Sequence, residues 1–101
     1  MVIYEIEAKV RDDLIESYEN YMRKKHIQDL LDTKYFEKAE ITLVKAGVFR
    51  MSYLVKDRET LDNYLETDAE ALREDFIQKF PEGVEVSRQI LEVLETWQQN
   101  L

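Results

Sequence analysis

A chain of 101 residues with 22 acidic and 14 basic side chains carries a formal net charge of -8, which repels phosphate backbones unless a basic face is segregated. Such a length predicts one domain, residues 1–101, burying about 65% of the surface its unfolded chain exposes. The absence of cysteine excludes disulfides, thiolate zinc sites and a cysteine nucleophile, and fits a reducing, cytoplasmic compartment.

Val2, Tyr4, Ile6, Ala8 and Val10 alternate with Ile3, Glu5, Glu7 and Lys9, the period of two expected of a strand with one buried face. Charge stands in this stretch where a signal peptide needs an apolar core, and no later run approaches membrane-spanning length, so no membrane contact is expected. Asp12 or Asp13 supplies an N-cap, and Glu16 follows Asp13 at the spacing of a capping box, which predicts the start of the first helix. Its apolar face runs through Leu14, Tyr18, Tyr21 and Met22. Continued at about 100° per residue, that face would bury Lys25 and Asp29, yet the apolar residues resume at Ile27, Leu30 and Leu31. The helix is therefore predicted to kink between Lys24 and Ile27, or to end there and restart at a new angle, with His26, the only histidine, at the joint. Arg23-Lys24-Lys25 reads as a solvated, dipole-compensating helix end rather than a nucleic-acid patch.

Thr33-Lys34 turns the chain into a second strand with Ala39, Ile41 and Leu43 on one face and Lys38, Glu40, Thr42 and Val44 on the other. Ala46-Gly47 is a hairpin signal, and Phe49, Met51, Tyr53 and Val55 then alternate with polar residues in a third strand. The second helix opens after Asp57 and carries Leu61, Tyr64, Leu65, Leu72, Phe76 and Phe80 on one broad face, with Asp68 inside it. Thr67 and Glu70 have capping-box spacing, which predicts an interruption near Thr67 with Asp68 in the first turn of the second piece. Pro81-Glu82-Gly83 ends the helix. A last strand starts at Val84 and is expected to reach about Leu94, where Ile90, Leu91, Val93 and Leu94 break a single alternation and call for a bulge, a face switch or a terminal helical turn. The tail to Leu101 carries no clear signal.

The order strand, helix, strand, strand, helix, strand predicts an α+β, ferredoxin-like βαββαβ fold: a four-stranded antiparallel sheet with two helices on one face. By alternation the helix-free face carries Phe36, Thr42, Val44, Val48 and Leu54, too apolar for water. A homodimer through that face, forming a dimeric α/β barrel, would cover it.

The stretch with Tyr18, Tyr21, Met22, His26, Ile27, Leu31, Thr33 and Phe36, followed by Tyr64, Ala69, Ala71-Leu72-Arg73, Phe80 and Ile90-Leu91-Glu92-Val93-Leu94, resembles over nearly the whole chain a family of small bacterial proteins known as domain of unknown function 4286. The resemblance implies a relative of the dimeric α/β-barrel proteins and no assigned activity. The family pattern has histidines where this chain has Asp68 and Phe76, prolines at Gln28 and Glu70, and a glycine at Lys34.

Among candidate site residues, His26 suits a general base because its unperturbed pKa lies near neutrality; otherwise it bonds a carbonyl freed at the helix joint. Asp68 could orient it if the two helices lie side by side, or could simply cap its helix. No His/Asp/Glu spacing supplies three metal ligands, and two glycines leave no phosphate cradle, so neither metal nor cofactor is expected. Tyr18, Met22, His26, Tyr53 and Tyr64 are expected to line a small polar pocket between helices and sheet. Arg73 and Arg88 could hold an anion there, or pair with surface acids. Two functions follow: a dimeric interaction or small-ligand-binding module taking a small apolar ligand, or a cofactor-free monooxygenase or isomerase acting on a small apolar or aromatic compound.

Overall fold

The computed structural model describes residues 1–100. Strand β1 (Val2–Val10) leads through a 3-10 turn (Asp12–Leu14) into α1 (Ile15–Tyr21), a π-helical segment (Met22–His26) and α2 (Ile27–Asp32). The hairpin of β2 (Phe36–Lys45) and β3 (Val48–Val55) is followed by α3 (Arg58–Thr67), α4 (Ala69–Lys79) and β4 (Val84–Glu92). The strands form one antiparallel sheet in the order β2-β3-β1-β4, and two helical arms pack on one face, as the ferredoxin-like reading predicts.

The first arm absorbs its change of phase without ending. The Ile27 amide donates to the Met22 carbonyl, five residues back, and His26 keeps helical angles, φ -62° and ψ -46°. An α-helix overshoots by about 40° at each four-residue step, so Tyr18, Met22, His26 and Leu30 could not share one face of an ordinary helix. The wider i to i-5 turn unwinds the arm, and all four are buried. The arm therefore neither ends nor restarts at the joint, and the expected interruption of i to i-4 bonding takes the form of a π turn. Lys25 and Asp29, which the undisturbed face would have buried, pair across 2.6 Å on the outside.

Neither predicted capping box forms. Asp13 pairs with Arg11 at 2.6 Å, and Asp68 makes no capping bond, although the second arm does break at that residue. Thr67 instead returns its hydroxyl to the Asn63 carbonyl at 2.6 Å, satisfying a group near the end of α3. Asp57 is a true N-cap, accepting from the Thr60 amide at 2.8 Å.

Parity along β2 is reversed by a bulge: Phe36 pairs with Val55 but Lys38 pairs with Leu54, leaving Glu37 as an extra residue. Phe36 therefore lies under the helices and not on the open face, a correction to the alternating register. It sits 4.7 Å from the Tyr64 ring and 5.2 Å from the Tyr53 ring. Strand β4 pairs with β1 without interruption from Val84 to Glu92, and the Val93 amide still donates to the Met1 carbonyl at 3.0 Å, so the strand ends close to the expected Leu94 with no bulge or face switch inside it. Leu94 and Trp97 beyond it are exposed. Gly47 and Gly83 take left-handed angles, φ 79° and 86°, at the hairpin and at the turn before β4.

Candidate functional site

Every residue of β4 is at least partly exposed, because it is an edge strand and the arms cover the inner strands β3 and β1 more fully. Between arms and sheet this leaves a cavity of about 350 Å³. Ile6, Met51, Val84 and Val86 face it from the strands, Tyr18, Met22 and His26 from the first arm, Phe76 and Ile77 from α4, and Phe80 and Pro81 from just beyond its end. Arg73 and Arg88 complete its lining.

The π turn determines which side chain of the first arm reaches inside. His26 is 9% exposed, with its ring 5.8 Å from Tyr21 and 5.7 Å from Phe76. Its Nδ1 is buried with no hydrogen-bond partner among the described residues, so the predicted bond to a freed carbonyl is not made. Burial holds its pKa below the ordinary 6.5, opposed by the carboxylates of Asp29 and Asp75 and assisted by Lys25 and Arg88. The imidazole is neutral at pH 7, able to accept or donate one hydrogen bond.

Of the other sequence-derived candidates, Tyr18 and Met22 line the cavity with His26, whereas Tyr53 and Tyr64 lie in the aromatic cluster with Tyr4 and Phe36. The Tyr18 hydroxyl reaches Met51 Sδ at 3.7 Å, and the Tyr53 hydroxyl is buried without a partner among the described residues. Burial pushes the phenols of Tyr18, Tyr53 and Tyr64 up, so none ionises near neutrality. Asp68 acts on Tyr64 and makes neither hydrogen bond nor ion pair with His26 among the described residues. The expected His26–Asp68 pair is therefore replaced: position 76, the other site where the family pattern has a histidine, is the one that meets His26. The reason is that α4 starts anew after Asp68 and runs toward Phe80, bringing its middle and end against Tyr18 and Tyr21.

Sequence reading also missed Ile6, Met51, Phe76, Phe80 and Val86 as lining residues. Their alternation or helical spacing marked them as inward, but nothing local marks which inward positions stay unfilled. Arg73 is anchored by the Tyr4 hydroxyl at 3.0 Å, and neither Arg73 nor Arg88 pairs with an acid among the described residues, contrary to the surface pairing expected. No group of three metal-binding side chains occurs among the described residues, nor does any helix long and apolar enough to cross a membrane.

The architecture is shared with solved structures. A "putative antibiotic biosynthesis monooxygenase" from Nitrosomonas europaea matches with TM-score 0.64 at 18% identity, covering 94% of this chain and 100% of that one. A dimeric ferredoxin-like protein from an uncultured marine organism matches with TM-score 0.64 at 18% identity, covering 94% and 96%. A conserved protein from Methanosarcina mazei Go1 matches with TM-score 0.60 at 14% identity, covering 88% and 91%. At these identities the likeness is one of fold. No curated protein matches the chain. The family model described as Domain of unknown function (DUF4286) matches residues 1–94, which takes in every strand and helix, and the chain belongs to that family.

Proposed function

We propose that this chain is a homodimeric small-ligand-binding protein whose ligand is a small apolar or aromatic compound held between the helical arms and the sheet. The observation that carries this reading is the cavity of about 350 Å³, lined largely by aliphatic and aromatic side chains, with a buried His26 nitrogen beside it that has no partner among the described residues. That volume falls at the small end of the roughly 300–1,000 Å³ range of small-molecule sites. Tyr18, Met22 and His26 are the ligand contacts in this reading. Ligand-observed NMR with a panel of small aromatic compounds tests it against Val86→Trp, which fills the cavity from the exposed edge strand. Binding to the wild type and its loss in the variant are expected. Binding unaffected by Val86→Trp, or no binding by any compound, would count against it.

The dimer is supported by the helix-free face and by the dimeric marine relative in fold. Ile3 lies opposite both Leu54 and Leu91 in the register, giving an apolar corner beside the Glu7–Arg50 pair at 3.2 Å and the Gln89–Glu5 bond at 2.9 Å. Apolar area with charges of both signs suits a self-complementary two-fold interface. Leu54→Lys or Val44→Lys should give monomers or aggregates in light scattering. A wild-type mass of one chain at micromolar concentration would remove the dimer.

A second reading, a cofactor-free monooxygenase or isomerase, is favoured by the neutral His26 beside the cavity and by the fold shared with the Nitrosomonas europaea protein. His26 would take a proton from an acidic C–H or O–H group of the bound compound. Oxygen uptake or isomerisation lost in His26→Ala, with binding retained, would separate this reading from binding alone.

A further inference from the structure

Charge around the cavity is distributed against the composition of the chain. Acids outnumber bases by 22 to 14, yet no aspartate or glutamate lines the cavity, while two arginines do. Arg11, Arg23, Arg50 and Arg58 each pair with a carboxylate between 2.6 and 3.2 Å, whereas Arg73 and Arg88 have no acidic partner among the described residues. The two arginines left unpaired among the described residues are thus the two that share the cavity.

Their placement is structural rather than incidental. Arg88 lies opposite Ile6 in the register, so it projects from the same face of β4 as Val84 and Val86, toward the helices. A strand burying an ordinary apolar face would carry an aliphatic residue there. Arg73 comes from α4 and is half-buried, and its Nη2 donates to the Tyr4 hydroxyl at 3.0 Å. That bond uses one of five guanidinium N–H donors and fixes the group from behind. A planar cation so held suits bidentate binding of a planar anion, and partial removal from water strengthens the pairing.

We propose that the cavity takes a small carboxylic acid with an apolar or aromatic body, its carboxylate held by Arg73 and Arg88 and its body against Met22, Phe76 and Phe80. This rests on the ligand-binding reading above and names the chemical class of the ligand. Each guanidinium supplies charge-assisted donors to the carboxylate oxygens. The neutral imidazole of His26, on the aromatic side of the cavity, meets the body rather than competing for the anion.

The test uses matched pairs: cinnamate with cinnamamide, phenylacetate with phenylacetamide, and hexanoate with hexanamide. Each is titrated into the full-length protein and followed by amide chemical shifts, with inorganic phosphate as a control for the charge alone. At least one acid should bind ten-fold or more tightly than its amide. That preference should shrink to less than three-fold in Arg88→Gln, which lies on an exposed edge and should leave the fold intact, and in Arg73→Gln. Shifts should centre on Arg73, Phe76, Val86 and Arg88. If acid and amide bind equally, the carboxylate assignment falls while the cavity remains a binding site. If the preference survives both variants, or phosphate binds as tightly as the best acid, the assignment also falls. If no compound in either series binds, both this inference and the reading beneath it are overturned.

Discussion

Tyr21 and His26, five residues apart on one continuous helical arm, stack with ring centroids 5.8 Å apart and planes inclined by 29°. In an ordinary α-helix residues five apart diverge by about 140° around the axis and their rings would not meet. The π turn at Met22–His26 brings them together and places the imidazole under the arm, against Phe76 of the other. The turn therefore contributes to the cavity as well as to the phase of the core.

A π turn amounts to one residue more than the surrounding α-helix needs. Arg23 pairs with Glu19 at 3.0 Å and Lys25 with Asp29 at 2.6 Å, while Lys24 is exposed and makes no ion pair among the described residues. Deleting Lys24 should convert the turn to regular i to i-4 bonding, because the buried spacing from Tyr18 onward becomes four, three, four. The variant is expected to fold cooperatively with stability within about 1 kcal/mol of the wild type, whereas deleting Ser17 inside α1 should unfold it. Circular dichroism melts of the two deletions decide this, and equal damage from both would contradict it.

Lys34 has φ 72°, and its amide donates to the Leu31 carbonyl at 3.1 Å, closing α2 with a left-handed residue. A side chain in that conformation costs roughly 1–2 kcal/mol, part of which glycine returns through its freer unfolded state. Lys34→Gly should raise the unfolding free energy by about 0.5–1 kcal/mol, and Gln28→Gly within α2 should lower it by about 1 kcal/mol. Urea titrations compare the two; a loss of stability in Lys34→Gly would refute the assignment of strain.

The Tyr53 hydroxyl is buried without a partner among the described residues, although its ring packs against Tyr4 and Phe36. An unsatisfied buried hydroxyl costs about 1–3 kcal/mol, and phenylalanine keeps the ring. Tyr53→Phe should be neutral or stabilising by up to about 2 kcal/mol, read from guanidinium denaturation. A destabilisation beyond about 1 kcal/mol would show that the hydroxyl has a partner.

His26 gives the fold an acid-sensitive contribution of definite sign. Its folded pKa lies below 6.5, so as pH falls the unfolded chain takes up a proton before the folded one. The associated stability is present above about pH 6.5 and is lost as pH falls toward the folded value. Asp29 and Asp75 oppose the shift while Lys25 and Arg88 reinforce it. The unfolding free energy of the wild type minus that of His26→Leu should fall between pH 7.5 and 5.5. A difference that stays flat or grows would mean the imidazole is not desolvated.

Alternation and helical spacing were enough to determine the βαββαβ order, the Ala46-Gly47 hairpin, the break near Thr67 and the change of phase before Ile27, because each depends on residues within a turn or two of one another. The physical means of that phase change was not legible, since a kink and a π turn leave the same apolar pattern. Only pairing with β3 exposed the extra residue at Glu37 that turns Phe36 into the core, a choice made across strands. The partner of His26 was likewise decided at long range: the sequence offered Asp68, but the packing of α4 across the first arm delivers Phe76. The two arginines differ in the same way from those on the surface. Their lack of carboxylate partners among the described residues is a property of how β4 and α4 converge at one edge of the sheet, and no spacing along the chain records it.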